Sequence, residues 1–169
     1  MTNQETLITF EEFTENDFGF VIDSHRRVFG KEYGWGEAFV ERVREITKTY
    51  AQRTKTPRET FLIAKVNGKP VGSMMLIELP NDPTTAQLRL LVVEEEYRGY
   101  KIGSHLMRTL LEKAKNDQYK RVILWTVDEL KLAREYYAKL GFTCTEQVKN
   151  TRWHPDGTPV MEEKWEMPL

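Results

Sequence analysis

A short loop that combines glycines with basic residues is the first stretch of the chain that could do chemistry. Residues 98–103 read Arg-Gly-Tyr-Lys-Ile-Gly and follow a nearly continuous apolar run at residues 86–93, which predicts a buried strand. After the loop, Ile102, Leu106 and Leu110 recur at helical spacing, so we expect an amphipathic helix that begins near Ile102. Glycine lets a ligand approach the backbone closely, and the first amides of a helix have no acceptor within it. The pattern therefore predicts an anion site at a helix N-terminus.

Two familiar phosphate-binding loops do not match this stretch. A nucleotide-binding P-loop closes a longer glycine loop with a Lys-Ser or Lys-Thr pair, and the sequence contains no such stretch. The dinucleotide fingerprint requires three glycines, whereas only Gly99 and Gly103 occur here. A tight strand-to-helix turn that binds no ligand remains an alternative at this point.

Composition favours one soluble globular domain over residues 1–169. The 169 residues are 40% hydrophobic and 30% charged, which is typical of a chain with one sizeable core. The formal net charge of −1 gives no electrostatic reason to expect nucleic acid or a membrane as a partner. No apolar run reaches the length of about 18 residues that a spanning helix needs, and the N-terminus lacks a signal-peptide core, so we expect a cytoplasmic location. The single cysteine, Cys144, argues against disulfides and a cysteine zinc site, and no metal is expected.

Periodicity and turn residues predict the order strand, two helices, three antiparallel strands, helix, strand, helix and two strands. An Asn-Gly pair at residues 67–68 predicts a hairpin. The apolar run within residues 121–127 predicts a short buried strand over that range. Gly30 is expected to end the first helix, and Asp128 is expected to cap the last one, which runs to Leu140. The order predicts an α+β fold with a central mixed, mostly antiparallel sheet of about seven strands, flanked by about four helices.

A second segment, residues 132–142 (LAREYYAKLGF), places Ala133 and Tyr137 one turn apart on the last predicted helix. Together the two segments resemble the GCN5-related N-acetyltransferase (GNAT) family. Residues 98–103 are similar to the family's Arg/Gln-x-x-Gly-x-Gly/Ala loop, except that Lys101 stands where the family usually has glycine. The family's Ala-Arg-x-x-Tyr-x-x-x-Gly-Phe segment is matched by Ala133, Arg134, Tyr137, Gly141 and Phe142. The predicted element order is also that of the family.

The resemblance implies that acetyl-CoA is a co-substrate. In the family, the loop amides hold the pyrophosphate of coenzyme A, and the pantetheine arm pairs with the backbone of the central strand. The residues expected to bind it are Leu91, Val92, Val93, Arg98, Gly99, Tyr100, Lys101, Ile102, Gly103, Ser104, Ala133 and Tyr136.

The resemblance also implies direct acetyl transfer to a primary amine of a small molecule or peptide. Tyr137 is expected to protonate the departing thiolate, because a phenol with a pKa near about 10 is protonated at neutral pH. A backbone amide of the central strand would stabilise the oxyanion. The attacking amine must be neutral, and the candidate bases are Glu94, Asp128, His25, His154 and a water chain. Of these, Glu94 and His154 are taken as the catalytic predictions.

Within the family, the chain is similar to the acetyltransferase half of bacterial proteins that fuse a MarR-type regulator to this domain, and is expected to be a stand-alone version. The similar segments are residues 25–35, 88–92, 124–126 and 165–167, with Phe39 and His154. This resemblance predicts an acceptor site lined by His25, Tyr33, Trp35 and Phe39. A homodimer is also expected.

Two other hypotheses stay open. Lys101 and the absence of a clear base favour a catalytically weak acyl-CoA-binding or regulatory module with the same fold. A phosphate- or nucleotide-binding protein of other chemistry would require the loop to prefer ATP or NAD over coenzyme A.

Overall fold

The structure is a computed structural model that describes residues 5–169. The helices are α1 (Phe18–Tyr33), α2 (Glu37–Gln52), α3 (Ile102–Asn116) and α4 (Lys131–Leu140). The strands are β1 (Ile8–Glu12), β2 (Thr60–Val66), β3 (Lys69–Leu79), β4 (Asp82–Val93), β5 (Arg121–Val127), β6 (Thr143–Asn150) and β7 (Val160–Pro168). Within this described range, no helix is long and apolar enough to cross a membrane.

The seven strands form one sheet in the order β1-β2-β3-β4-β5-β7-β6. All neighbouring strands are antiparallel except the central pair, β4 and β5, which run parallel. A parallel pair needs a crossover connection, and α3 supplies it. The predicted α+β fold, with a mixed and mostly antiparallel sheet of seven strands and four helices, is confirmed.

Two apolar cores cover opposite faces of the sheet. Helices α3 and α4 pack on one face, where Leu106 and Tyr137 join Leu88 of β4. Helices α1 and α2 pack on the other face, where Val21 and Val43 join strand residues that include Phe61 and Met75. Each helix pair covers one face because successive side chains of a strand point to opposite sides of the sheet.

Several local predictions are confirmed. Strand β5 has the predicted bounds and α3 begins at Ile102. Asn67 and Gly68 join β2 to β3 with φ values of 50° and 81°, the left-handed conformations that a two-residue hairpin turn requires. Strand β4 is longer than predicted, because it begins at Asp82 rather than at Ala86.

The predicted end of the first helix is wrong. Gly30 lies inside α1, which continues to Tyr33 and ends at Gly34, where φ is 73°. The Gly34 N–H donates to the Gly30 carbonyl at 3.0 Å. Glycine within a helix costs only about 1 kcal/mol, so packing of the flanking aromatic residues can carry the helix past it.

The predicted cap of the last helix is also wrong. The N-cap of α4, the residue just before its first helical position, is Leu130 rather than Asp128. The Asp128 carboxylate instead accepts the Met161 N–H at 3.0 Å, and the Asp128 N–H donates to the Met161 carbonyl at 3.0 Å. Asp128 therefore ties the end of β5 to β7, a long-range contact that competes with capping.

Candidate active site

The two central strands separate part-way along their length. Strands β4 and β5 pair only from Thr85 with Arg121 to Leu88 with Leu124. Beyond these pairs, residues 89–93 of β4 have no backbone partner in β5. The separation opens the middle of the sheet, so that groups bound on its two faces can meet there.

A bulge in β4 shapes this opening. Ser73 of β3 pairs with Val92 and Met75 pairs with Arg89, so two residues of β4 lie opposite one residue of β3. Leu90 has φ of 55°, which a bulky residue rarely adopts. Its carbonyl accepts the Ser73 hydroxyl at 2.8 Å. The bulge lies next to residues 91–93, the segment predicted to pair with the cofactor.

The loop before α3 has the geometry of an anion site. Gly99 and Lys101 have φ values of 97° and 59°, and the first helical hydrogen bond runs from the His105 N–H to the Lys101 carbonyl at 3.0 Å. The amides of residues 102–104 therefore have no acceptor within α3. The Lys101 and Tyr100 side chains are exposed, and the Ser104 hydroxyl donates to the Lys101 carbonyl at 3.1 Å. The open amides and the helix dipole fit a phosphate group.

Three ion pairs fasten α1 to the segment between β4 and α3. Arg27 pairs with Glu94 at 2.5 Å, and Lys31 pairs with Glu95 at 2.8 Å. Arg98, predicted to bind the cofactor, pairs with Glu32. The Arg98 guanidinium therefore binds α1, whereas the Arg98 backbone belongs to the loop of residues 98–103, which we call the anion loop. Glu94, predicted to be catalytic, does not line the cavity at the opening between β4 and β5.

Tyr137 lies beneath the opening between the two strands. Its side chain is 8% exposed, packs edge-on against Phe142 with ring centroids 6.0 Å apart, and lines the cavity. Burial raises the pKa of its phenol to about 12, so the hydroxyl is protonated at neutral pH. Its hydroxyl makes no hydrogen bond to the residues that the structure describes. A buried, protonated phenol that faces a cavity can donate a proton to a leaving group.

A buried ion pair holds α4 in place. Arg134, three residues before Tyr137, donates to both carboxylate oxygens of Glu163 on β7, at 2.7 and 3.2 Å. Glu163 is 1% exposed and also accepts Gln147 Nε2 at 2.9 Å and Trp165 Nε1 at 3.3 Å. Sequence reasoning assigned no role to Glu163, because only the register of β7 places it under α4.

The other expected cofactor residues of α4 lie beside Tyr137. Ala133 and Tyr136 are half-buried against the core that α3 and α4 share. Burial raises the pKa of Tyr136, an effect that the nearby Arg108 charge partly offsets. No cluster of residues suited to a metal ion occurs between residues 5 and 169.

Aromatic side chains from α1, the α1–α2 connection, α2 and the loop before β7 meet at one end of the opening. Trp35 stacks on Phe29 with centroids 5.2 Å apart and contacts Phe39 edge-on at 4.8 Å. Trp153 contacts Phe39 edge-on at 5.6 Å. Of the predicted acceptor residues, His25, Trp35 and Phe39 line the cavity, whereas Tyr33 packs behind Trp35 at 5.6 Å.

His154 supports this aromatic cluster from outside the cavity. Its Nε2 lies 2.6 Å from the carboxylate of Glu129, which also accepts the indole N–H of Trp35 at 3.1 Å. The structure thus places His154 against Glu129, and His154 does not line the cavity. The backbone of Gly36 reinforces the junction by donating to the Trp153 carbonyl at 2.8 Å.

His25 is buried at the cavity wall. Its Nδ1 lies 2.6 Å from the Val21 carbonyl, so this nitrogen carries the proton and donates. Its Nε2 is buried without a partner among the described residues. Burial lowers the pKa of the imidazole to about 4, against a smaller raising effect of the Val21 hydrogen bond. The neutral ring therefore presents an acceptor nitrogen at neutral pH.

The cavity has a volume of about 510 Å³ and connects the α1–α2 face of the sheet with Tyr137 on the other face. Its aromatic walls come from Phe29, Trp35, Phe39 and Trp153. Sequence reasoning missed five of its polar residues, which are Arg42, Gln87, Arg89, Thr126 and Glu162. Apart from one arginine inside an otherwise apolar strand, no spacing or motif in the sequence points to these residues.

Residues 20–142 match the sequence model of the Acetyltransferase (GNAT) family. An uncharacterized N-acetyltransferase of Methanocaldococcus jannaschii is 28% identical over 146 residues, which cover 83% of this chain and 63% of that protein. Human N-acetyltransferase 8B is 34% identical over 107 residues, which cover 61% of this chain and 45% of that protein. The chain therefore spans less than two thirds of the length of these relatives.

The fold is shared with solved acetyltransferase structures. PaiA N-acetyltransferase from Thermoplasma acidophilum, in complex with coenzyme A, superposes with a TM-score of 0.70 at 17% identity, over 96% of this chain and 99% of that chain. Sequence identity this low shows a common fold and leaves the acceptor open.

Proposed function

Because the chain belongs to the acetyltransferase (GNAT) family, we propose that it transfers an acetyl group from acetyl-CoA directly to a primary amine of a small molecule or peptide. The observation that carries the proposal is the position of Tyr137. Its buried, protonated hydroxyl lies where β4 and β5 part, at the junction of the cavity with the α3–α4 face.

The residues on the α3–α4 face fit coenzyme A. The open amides of residues 102–104 would receive the pyrophosphate, together with the backbone of Gly99 and Lys101. The unpaired edge of β4 at residues 91–93 would pair with the pantetheine arm, and Ala133 and Tyr136 would flank it. Bound acetyl-CoA supplies the acetyl group as a thioester.

The chain's own groups would then handle charge and protons. A backbone N–H of residues 91–93 stabilises the negative charge that develops on the carbonyl oxygen. Tyr137 gives its proton to the sulfur as the carbon–sulfur bond breaks and the carbon–nitrogen bond forms. The amine must lose a proton to a base. Glu94 and His154 remain proposals for this role, but Glu162 is better placed, since it lines the cavity and has no partner among the described residues.

Thermal unfolding with and without acetyl-CoA tests the binding step, with ATP and NAD as controls. A ligand at about 100 times its dissociation constant adds about 2.7 kcal/mol to the free energy of unfolding. For a chain of this size, that corresponds to a rise in the midpoint of about 5–10 °C. A rise with acetyl-CoA alone supports the proposal, whereas a rise with ATP or NAD instead would favour the other phosphate-binding hypothesis.

Release of free thiol with a panel of amines tests the chemistry. We expect Tyr137→Phe to lower kcat by about 10²-fold or more while leaving the acetyl-CoA-dependent rise in unfolding temperature in place. Tyr119→Phe is the matched control, because Tyr119 is also a buried tyrosine with a pKa raised by burial to about 12 but lies outside the cavity.

The second candidate function is an acyl-CoA-binding module with weak or no turnover. The observation that favours it is Lys101, which holds a left-handed conformation at the anion loop where the family usually has glycine. Equal inertness of the native protein and Tyr137→Phe, with acetyl-CoA still bound, would support this alternative.

Four further expectations remain proposals. They are a single domain over the whole chain, a cytoplasmic and bacterial setting, a homodimer, and a relationship to the acetyltransferase half of MarR-type fusion proteins. Sedimentation of the purified chain tests the homodimer, and sequence comparison restricted to such fusion proteins tests the relationship.

A further inference from the structure

One cation in the cavity, Arg89, has no acidic partner among residues 5–169. Arg89 follows Leu88 on β4, and since Leu88 points into the α3–α4 core, Arg89 points to the α1–α2 face. It is half-buried and lines the cavity with Arg42 of α2. Burial, together with the smaller effects of the Arg42 and Arg53 charges, lowers the pKa of its guanidinium to about 10, so Arg89 stays protonated at neutral pH.

The other half-buried arginines of residues 5–169 are paired. Arg53 pairs with Glu59, Arg58 with Glu78 and Arg134 with Glu163, while Arg44 pairs with Glu41. Arg42, the second cation of the cavity, pairs with Glu45 at 3.3 Å. An unpaired and partly desolvated charge destabilises the free protein. An anion bound to Arg89 would remove this destabilisation.

An unpaired anion faces the same cavity from another strand. Glu162 on β7 lies opposite Val127 of β5, and it makes no hydrogen bond or ion pair with the described residues. Strand β5 stands between Arg89 and Glu162, so their backbones are at least about 10 Å apart. The cavity therefore offers a separate site for each sign of charge.

We propose that the acceptor is an amino acid with an apolar side chain, whose carboxylate binds Arg89 and whose ammonium group is received by Glu162. The proposal rests on the proposed acetyl transfer and names its substrate class. The guanidinium fork matches the two oxygens of a carboxylate, which favours a carboxylate over a simple amine. The apolar side chain would pack against Phe29, Trp35 and Phe39, and the cavity volume of about 510 Å³ accommodates it.

The test compares each amino acid with the amine that lacks its carboxylate: phenylalanine with phenethylamine, and leucine with isopentylamine. Thiol release at saturating acetyl-CoA gives kcat/KM for native protein and for Arg89→Met. We expect Arg89→Met to lower kcat/KM for the amino acids by about 10–100-fold and to change that for the amines by less than about threefold. Because native protein and Arg89→Met are compared on each substrate separately, the different intrinsic reactivities of amino acids and simple amines cancel in the comparison.

Arg121→Met is the matched control, since Arg121 is exposed at the far end of β5 and lies outside the cavity. Arg89→Met should fold, because it removes an unpaired charge, and its unfolding midpoint should equal or exceed that of the native protein. Arg89→Gln provides a second variant if methionine packs poorly there.

The outcomes separate this inference from the proposed function. If the native protein acetylates amines as well as amino acids, and Arg89→Met treats both alike, acetyl transfer stands and the inference is overturned. If acetyl-CoA is neither bound nor turned over, the proposed function fails. In that case we measure the unfolding temperature with millimolar phenylalanine. A rise in the native protein that Arg89→Met abolishes supports the inference, and no rise in the native protein overturns it.

Discussion

Replacing Arg134 by methionine should destabilise the fold and slow catalysis together. Glu163 is 1% exposed and accepts two hydrogen bonds from Arg134, one from Gln147 and one from Trp165. Without Arg134, the buried carboxylate keeps only the two neutral donors. Because removing one partner leaves an uncompensated buried charge, the variant loses stability even though methionine fills much of the same space.

The size of the loss follows from the burial of each partner. Breaking a buried ion pair typically costs about 3–5 kcal/mol. The Arg134 side chain is 38% exposed, so water screens part of the pair and we expect a loss near about 3 kcal/mol. For a chain of this length, that loss lowers the unfolding midpoint by about 6–12 °C. Tyr137 lies one turn further along α4, so we also expect kcat to fall by about tenfold.

Urea unfolding and thiol release measure the two effects. Arg121→Met is the control, since exposed Arg121 lies 3.9 Å from half-buried Glu166, and its loss should stay below about 1 kcal/mol. Replacing both Arg134 and Glu163 by methionine should cost less than Arg134→Met alone, because no buried charge remains. The reasoning is refuted if Arg134→Met and the control lose similar stability, or if the double variant is the less stable of the two Arg134 variants.

Two further substitutions test other parts of the site. Lys101→Gly removes a left-handed lysine, with φ of 59°, and should raise the free energy of unfolding by about 0.5–1 kcal/mol in urea titrations. Gln118→Gly, at φ of 64° and far from the anion loop, should stabilise similarly, and unequal gains would mean that Lys101 makes a favourable contact. His25 has a folded-state pKa near 4 against an ordinary 6.5, so its contribution to stability is complete above pH 6.5 and is lost as pH falls toward 4. Between pH 7.5 and 4.5 the native protein should lose about 2–3 kcal/mol more than His25→Gln, and equal losses would show that the imidazole titrates normally.

The order of the helices and strands and several of their bounds could be predicted from the sequence, because interactions between neighbouring residues determine them. Hydrophobic periodicity marks strands and helices directly, which is why the bounds of β5 and the start of α3 are confirmed. The Asn67-Gly68 turn was predictable because few residue pairs adopt two left-handed conformations in succession. The anion loop followed from glycines placed just before a helix.

Boundaries that depend on distant partners were not predictable. Gly30 is a plausible helix end by composition, yet α1 continues because Phe29 and Tyr33, on either side of Gly30, both pack against Trp35. Asp128 is a good capping residue, yet the backbone of Met161 on β7 takes its carboxylate. In both cases a tertiary contact outweighs a local preference of about 1 kcal/mol.

By itself the sequence determined the order of elements, the anion loop and the tyrosine on α4, because the types and spacing of neighbouring residues indicate each of them. Only the tertiary structure decided the separation of β4 and β5, the burial of Glu163 and the isolation of Arg89. These depend on the register between strands and on which charges fail to find a partner. Such facts exist only once the chain is folded, since they concern residues far apart in sequence.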